Sequence, residues 1–110
     1  MSTLAKEACL PADGSNPKPL SADESQQLLA QLDDWTIEGS TICRKVSTNS
    51  FVKGVELIQK ITPLAEEAGH HPDITLTYPT LTIALTTHSA DALTKADFVM
   101  AARIDEACFS

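Results

Sequence analysis

The sequence predicts an α+β fold, a four-stranded antiparallel sheet with three helices on one face, in the order α-β-β-α-β-β-α. Three observations carry this. Helical periodicity and capping patterns recur at three places, two pairs of short alternating runs read as hairpins, and the hairpins fall between the helices. Helices segregated to one face of an antiparallel sheet are the economical way to bury both sets of apolar faces.

The elements follow in chain order. Residues 1–19 read as a flexible N-terminal tail: Pro11, Gly14, Pro17 and Pro19 punctuate a polar stretch and argue against a packed element, leaving room only for a short helical turn near Leu4–Cys9. A single domain is then expected over residues 20–110. Ser21 with Glu24 forms a capping-box pattern, and Leu28, Leu29 and Leu32 give the following helix its apolar face before Asp33-Asp34 ends it. Trp35-Thr36-Ile37 and Thr41–Val46, around a turn at Gly39, predict the first hairpin.

A long helix is expected from Phe51, after a cap at Ser50, to Ala68, with Phe51, Val52, Val55, Leu57, Ile58, Ile61, Leu64, Ala65 and Ala68 forming a broad apolar face. Pro63 should kink or restart it near Thr62, and Gly69 should stop it. Ile74–Tyr78 and Leu81–Thr86 alternate at period two around Pro79-Thr80. They form the clearest hairpin, with Ile74, Leu76, Tyr78, Leu81, Ile83 and Leu85 on one face and Thr-rich positions on the other. The last helix opens on a Thr94/Asp97 capping box with a Leu93/Phe98 staple, and Met100, Ala101, Ile104, Ala107 and Cys108 supply its inner side.

Composition narrows the function. The chain has 110 residues, of which 43% are apolar, 21% charged and 5% aromatic, so it can bury one mainly aliphatic core. A net charge of −7 and the lack of any Lys/Arg cluster argue against nucleic acid. No apolar run approaches the roughly 20 residues a membrane helix needs, and Met1–Glu7 does not resemble a secretory leader. Cys9, Cys43 and Cys108 lack a CxxC pattern and read as free thiols of a cytoplasmic protein.

The chemistry concentrates in His70, His71 and His88. If the second hairpin folds, residue 88 returns to the end of the sheet where residue 74 starts, so the three rings can converge. Three readings are open. Three imidazoles could hold zinc, although adjacent histidines diverge in regular backbone and no HExxH or cysteine partner accompanies them. They could serve as general acids and bases near neutral pH. They could also be solvated loop residues. Glu66, one helical turn before His70, shares its face and could tune it, or could simply be solvated. Asp97 is explained by its capping box alone.

The run Glu66-Glu67-Ala68-Gly69-His70-His71-Pro72, followed by Tyr78, Thr86-Thr87-His88 and Asp97, resembles the signature of the pterin-4a-carbinolamine dehydratases over roughly residues 20–108. The resemblance implies the same sheet-and-helix fold and dehydration of a 4a-hydroxytetrahydropterin to quinonoid dihydropterin, as in tetrahydrobiopterin recycling. His70, His71 and His88 would be catalytic, and Glu66, Thr86, Thr87 and Asp97 would bind substrate. It also implies no metal and no cofactor, the pterin being the substrate. The implied assembly is a homodimer or homotetramer built through the long helix or the Thr-rich strands, with a functional link to an aromatic amino acid hydroxylase. The alternatives are a non-catalytic protein-binding module, of dimerisation or coactivator type, and a pterin role outside amino acid hydroxylation.

Overall fold

A computed structural model describes residues 4–11 and 14–109. The α+β expectation holds. Helix α1 spans Ala22–Leu29, strands β1 and β2 span Thr36–Glu38 and Thr41–Ser47, and helix α2 spans Phe51–Ala68. Strands β3 and β4 span Asp73–Thr77 and Thr80–Leu85, and helix α3 spans Lys95–Cys108. The four strands form one antiparallel sheet in the order β1-β2-β4-β3. β4 is therefore central, paired on both sides.

Register explains the two faces. Ile42, Arg44 and Val46 of β2 stand opposite Leu85, Ile83 and Leu81, which in turn oppose Ile74 and Leu76 of β3. These positions face the helices. Ile42, Leu81, Ile83 and Leu85 are fully buried against a core that includes Leu57, Ile61, Phe98, Val99, Met100 and Ile104. Thr75 and Thr77 point the other way and are exposed. Tyr78, read from the sequence as a continuation of the inward face, instead lies 59% exposed in the β3–β4 turn.

Both predicted capping boxes form, at Ser21/Glu24 and at Thr94/Asp97, and the staple residues Leu93 and Phe98 are buried. α3 buries more of its circumference than expected, including Ala96, Asp97, Val99 and Ala102, whereas Ala107 is exposed. α2 runs through Pro63 without restarting. The missing N–H of Pro63 orphans only the carbonyl of Gln59, and both residues are exposed, so water can satisfy that carbonyl.

Two features escaped the sequence reading. Arg44, on the inward face of β2, donates to Asp105 at 2.9 Å and stacks over Phe109, while Trp35 Nε1 donates to the same carboxylate. The group ties the first hairpin to the end of α3. The second is the docking of residues 4–9, where the sequence leaves room only for a short helical turn. A turn of 3-10 helix at Leu4–Lys6 buries Leu4 completely and Ala5 and Cys9 almost so. Arg103 of α3 donates to the carbonyls of Ala5 and Glu7 at 3.0 and 2.8 Å, Lys95 pairs with Glu7, and the Cys9 thiol donates to the Ala96 carbonyl. Downstream, Leu20 N–H donates to the Leu93 carbonyl.

Candidate active site

The site is built where α2 ends and β4 ends. Gly69 caps α2 in the left-handed conformation, φ 65°, with its N–H bonded to the Ala65 carbonyl. That turn, which glycine adopts without steric penalty, takes the chain off the helical path before the histidine pair. His70 consequently turns inward and His71 outward: His70 is 8% exposed, whereas the His71 side chain is 59% exposed. Glu66, whose helical spacing places it on the face of His70, bonds His71 at 2.5 Å, because helical periodicity no longer applies beyond Gly69.

His70 meets a different carboxylate. Its Nε2 lies 2.6 Å from Asp97 Oδ1, across 27 residues of sequence. Asp97 is completely buried. Its other oxygen, Oδ2, accepts the Thr87 hydroxyl at 2.9 Å and the Thr94 backbone N–H at 3.0 Å. Thr94 Oγ1 lies 2.7 Å from Thr87 Oγ1 and also accepts the N–H of Ala96. With Thr87 donating to the carboxylate, Thr94 donates to Thr87. A chain of donors therefore runs from Thr94 through Thr87 to Asp97, and His70 meets the carboxylate from the opposite side. Asp97 accepts from Thr87 and Thr94 on Oδ2, so in the tautomer with His70 Nε2 protonated the ring donates to Oδ1 and Nδ1 is the nitrogen available as an acceptor.

His88 follows the end of β4 in a single 3-10 turn and is exposed. His70, His71 and His88 line one open cleft of about 520 Å³, together with Gly69, Thr86 and Thr87. Thr86 donates to the Ser40 carbonyl at 2.6 Å, which fixes the β4 end against the first hairpin. The expected binding residues thus divide. Thr86 and Thr87 border the cleft; Glu66 bonds His71; Asp97, with no exposed surface, contacts His70 and does not itself border the cleft. Leu10, Pro11 and residues 14–17 also line the cleft, which the sequence reading missed because their Pro/Gly-rich composition carries only a loop signal.

The class this defines is an α+β protein with three histidines at one end of its sheet and a carboxylate buried against one of them. The sequence pattern of the family described as Pterin 4 alpha carbinolamine dehydratase matches residues 18–107, and the chain belongs to that family. A protein of Nitrosospira multiformis named "Putative pterin-4-alpha-carbinolamine dehydratase" is 36% identical over 102 residues, covering 93% of this chain and 89% of that protein. One of Chloroflexus aurantiacus with the same name is 44% identical over 87 residues, covering 79% and 94%. A crystal structure of a transcriptional coactivator/pterin dehydratase from Brucella melitensis superposes with a TM-score of 0.78 at 25% identity, over 83% of this chain and 99% of that one. A pterin dehydratase-like protein identified as a RuBisCO assembly factor in the alpha-carboxysome shares the fold, with a TM-score of 0.56 at 22% identity over 69% and 88%. No helix among the described residues is long and apolar enough to cross a membrane.

Proposed function

We propose that the protein dehydrates 4a-hydroxytetrahydropterins to quinonoid dihydropterins by histidine acid–base catalysis. The observation that carries this is the meeting of three imidazoles at one cleft, one of them oriented by a buried carboxylate. The C4a–O bond breaks as its oxygen takes a proton, a ring N–H loses a proton as the C=N bond forms, and the net loss is one water. His70 Nδ1 takes the ring proton. His71 and His88, on the open side, deliver the proton to the departing oxygen and exchange with solvent. Such steps are worth roughly 10²–10⁴-fold each and can be run by these side chains alone. In this reading the protein works as a homo-oligomer in the cytoplasm, returning pterin spent by an aromatic amino acid hydroxylase.

The test is the rate of loss of carbinolamine absorbance. His71→Ala and His88→Ala should each slow it and leave the circular dichroism spectrum unchanged, since both rings are exposed. A double variant as fast as the parent would overturn the mechanism. Absence of catalysis by the parent, with capture of a protein partner surviving both substitutions, would favour the binding-module alternative.

A further inference from the structure

Residues 4–9 and 20 are anchored on α3 and on the residue before its cap, and Leu10, Pro11 and residues 14–17 lie beside the histidines. Leu10 Cδ1 lies 3.8 Å from where a Cβ on Gly69 would sit, so this side chain covers the turn that precedes His70. Leu10 is nonetheless 37% exposed, an apolar surface left at the lip of a polar site. Leu10, Pro11, Asn16 and Pro17 line the histidine cleft. The same four residues line a second, mainly apolar cleft of about 560 Å³ that runs towards Thr94–Ala96 at the start of α3. These four residues are thus shared between the histidine cleft and the neighbouring one.

We propose that this N-terminal wall determines which pterins the site accepts. Leu10 packs on the flat face of the ring, and Asn16 hydrogen-bonds a hydroxylated alkyl substituent passing along the wall towards the second cleft. The chemistry fits: a conjugated bicycle presents an apolar face, a short polyol chain needs both a donor and an acceptor, and an amide side chain supplies the pair. The inference rests on the pterin reading above and adds the part of the molecule that reads the substituent.

The experiment is calorimetric titration of the full chain with two unreactive pterins, 7,8-dihydrobiopterin, which carries a dihydroxypropyl group, and 6-methyl-7,8-dihydropterin, which does not. Leu10→Ala should weaken both by about tenfold, the loss of one aliphatic contact. Asn16→Ala should weaken only dihydrobiopterin, by about five- to tenfold. Arg103→Gln, which cuts the tether to Ala5 and Glu7, should weaken both, and combining it with Leu10→Ala should add little further. Binding by the parent that Leu10→Ala and Asn16→Ala leave unchanged overturns this inference alone, as does an Asn16→Ala loss equal for the two probes. A parent that binds neither probe overturns the pterin reading and this inference with it.

Discussion

Replacing Asp97 by Asn separates the orienting role of the carboxylate from its role in folding. Two donors, Thr94 N–H and Thr87 Oγ1–H, converge on Oδ2 at 3.0 and 2.9 Å. The backbone N–H cannot reverse, so the amide oxygen of an Asn must take this side. Its NH₂ then faces His70 Nε2, 2.6 Å from the present Oδ1. Two donors cannot share that gap, so His70 must give up its Nε2 proton and carry it on Nδ1 instead. The ring stays in place with its tautomer inverted, and Nδ1 turns from acceptor to donor.

The stability cost is bounded by the same contacts. Hydrogen bonds to a charged group contribute about 1.5–3 kcal/mol and neutral ones about 0.5–1.5, so Asp97→Asn should cost on the order of 1–3 kcal/mol, which an ordinary domain survives. Asp97→Ala is the wrong experiment. It would strand buried donors from Thr94, Thr87 and His70 at about 1–3 kcal/mol each and confuse unfolding with inactivation. The rate should fall by about 10²–10⁴-fold, the range for a lost general base. Ring ¹⁵N shifts of His70 report the tautomer independently of turnover. An inverted tautomer with an undiminished dehydration rate would show that His70 Nδ1 is not the base.

Two further outcomes test the structure away from the site. Leu4→Ala should cost about 2–4 kcal/mol in urea denaturation, as for a fully buried core leucine, although it sits in a Pro/Gly-punctuated leader; a shift near zero would mean that this turn does not dock on α3. Burial pushes the Cys9 thiol up to about 11 from 9.0. The folded state therefore keeps a proton that the unfolded chain releases. Stability should be unaffected by this group below pH 9 and fall between pH 9 and 11, by about 1–2 kcal/mol once partial screening is allowed for. Cys9→Ala should remove that part of the alkaline loss when the two proteins are compared at pH 8 and pH 10.5, and parallel losses would refute it.

What could be read from the chain, and what could not, follows the distance over which each interaction acts. Ser21/Glu24 and Thr94/Asp97 are complete within four residues, and each formed as expected. The second hairpin was equally local, and its folding back is enough to bring residue 88 near residue 70. The docking of the leader was invisible because its partner, Arg103, lies 98 residues from Ala5 and nothing in Leu4–Glu7 announces it. The spacing that puts Glu66 on one face with His70 does not extend past Gly69: the left-handed helix stop ends helical periodicity there, and Glu66 meets His71.

Asp97 shows why motif reading alone divides wrongly between structure and function. Its capping role is visible because Thr94 is three residues away; its bond to His70 spans 27 residues and has no sequence signature. The two roles coexist, since a carboxylate has two oxygens. Oδ2 closes the first turn of α3, and in doing so fixes the plane and position of Oδ1 beneath the imidazole. Helix capping is therefore the device that orients the His70 ring. A capping residue lacking a second acceptor oxygen, even one that preserved α3 fully, would leave that ring without its orienting partner.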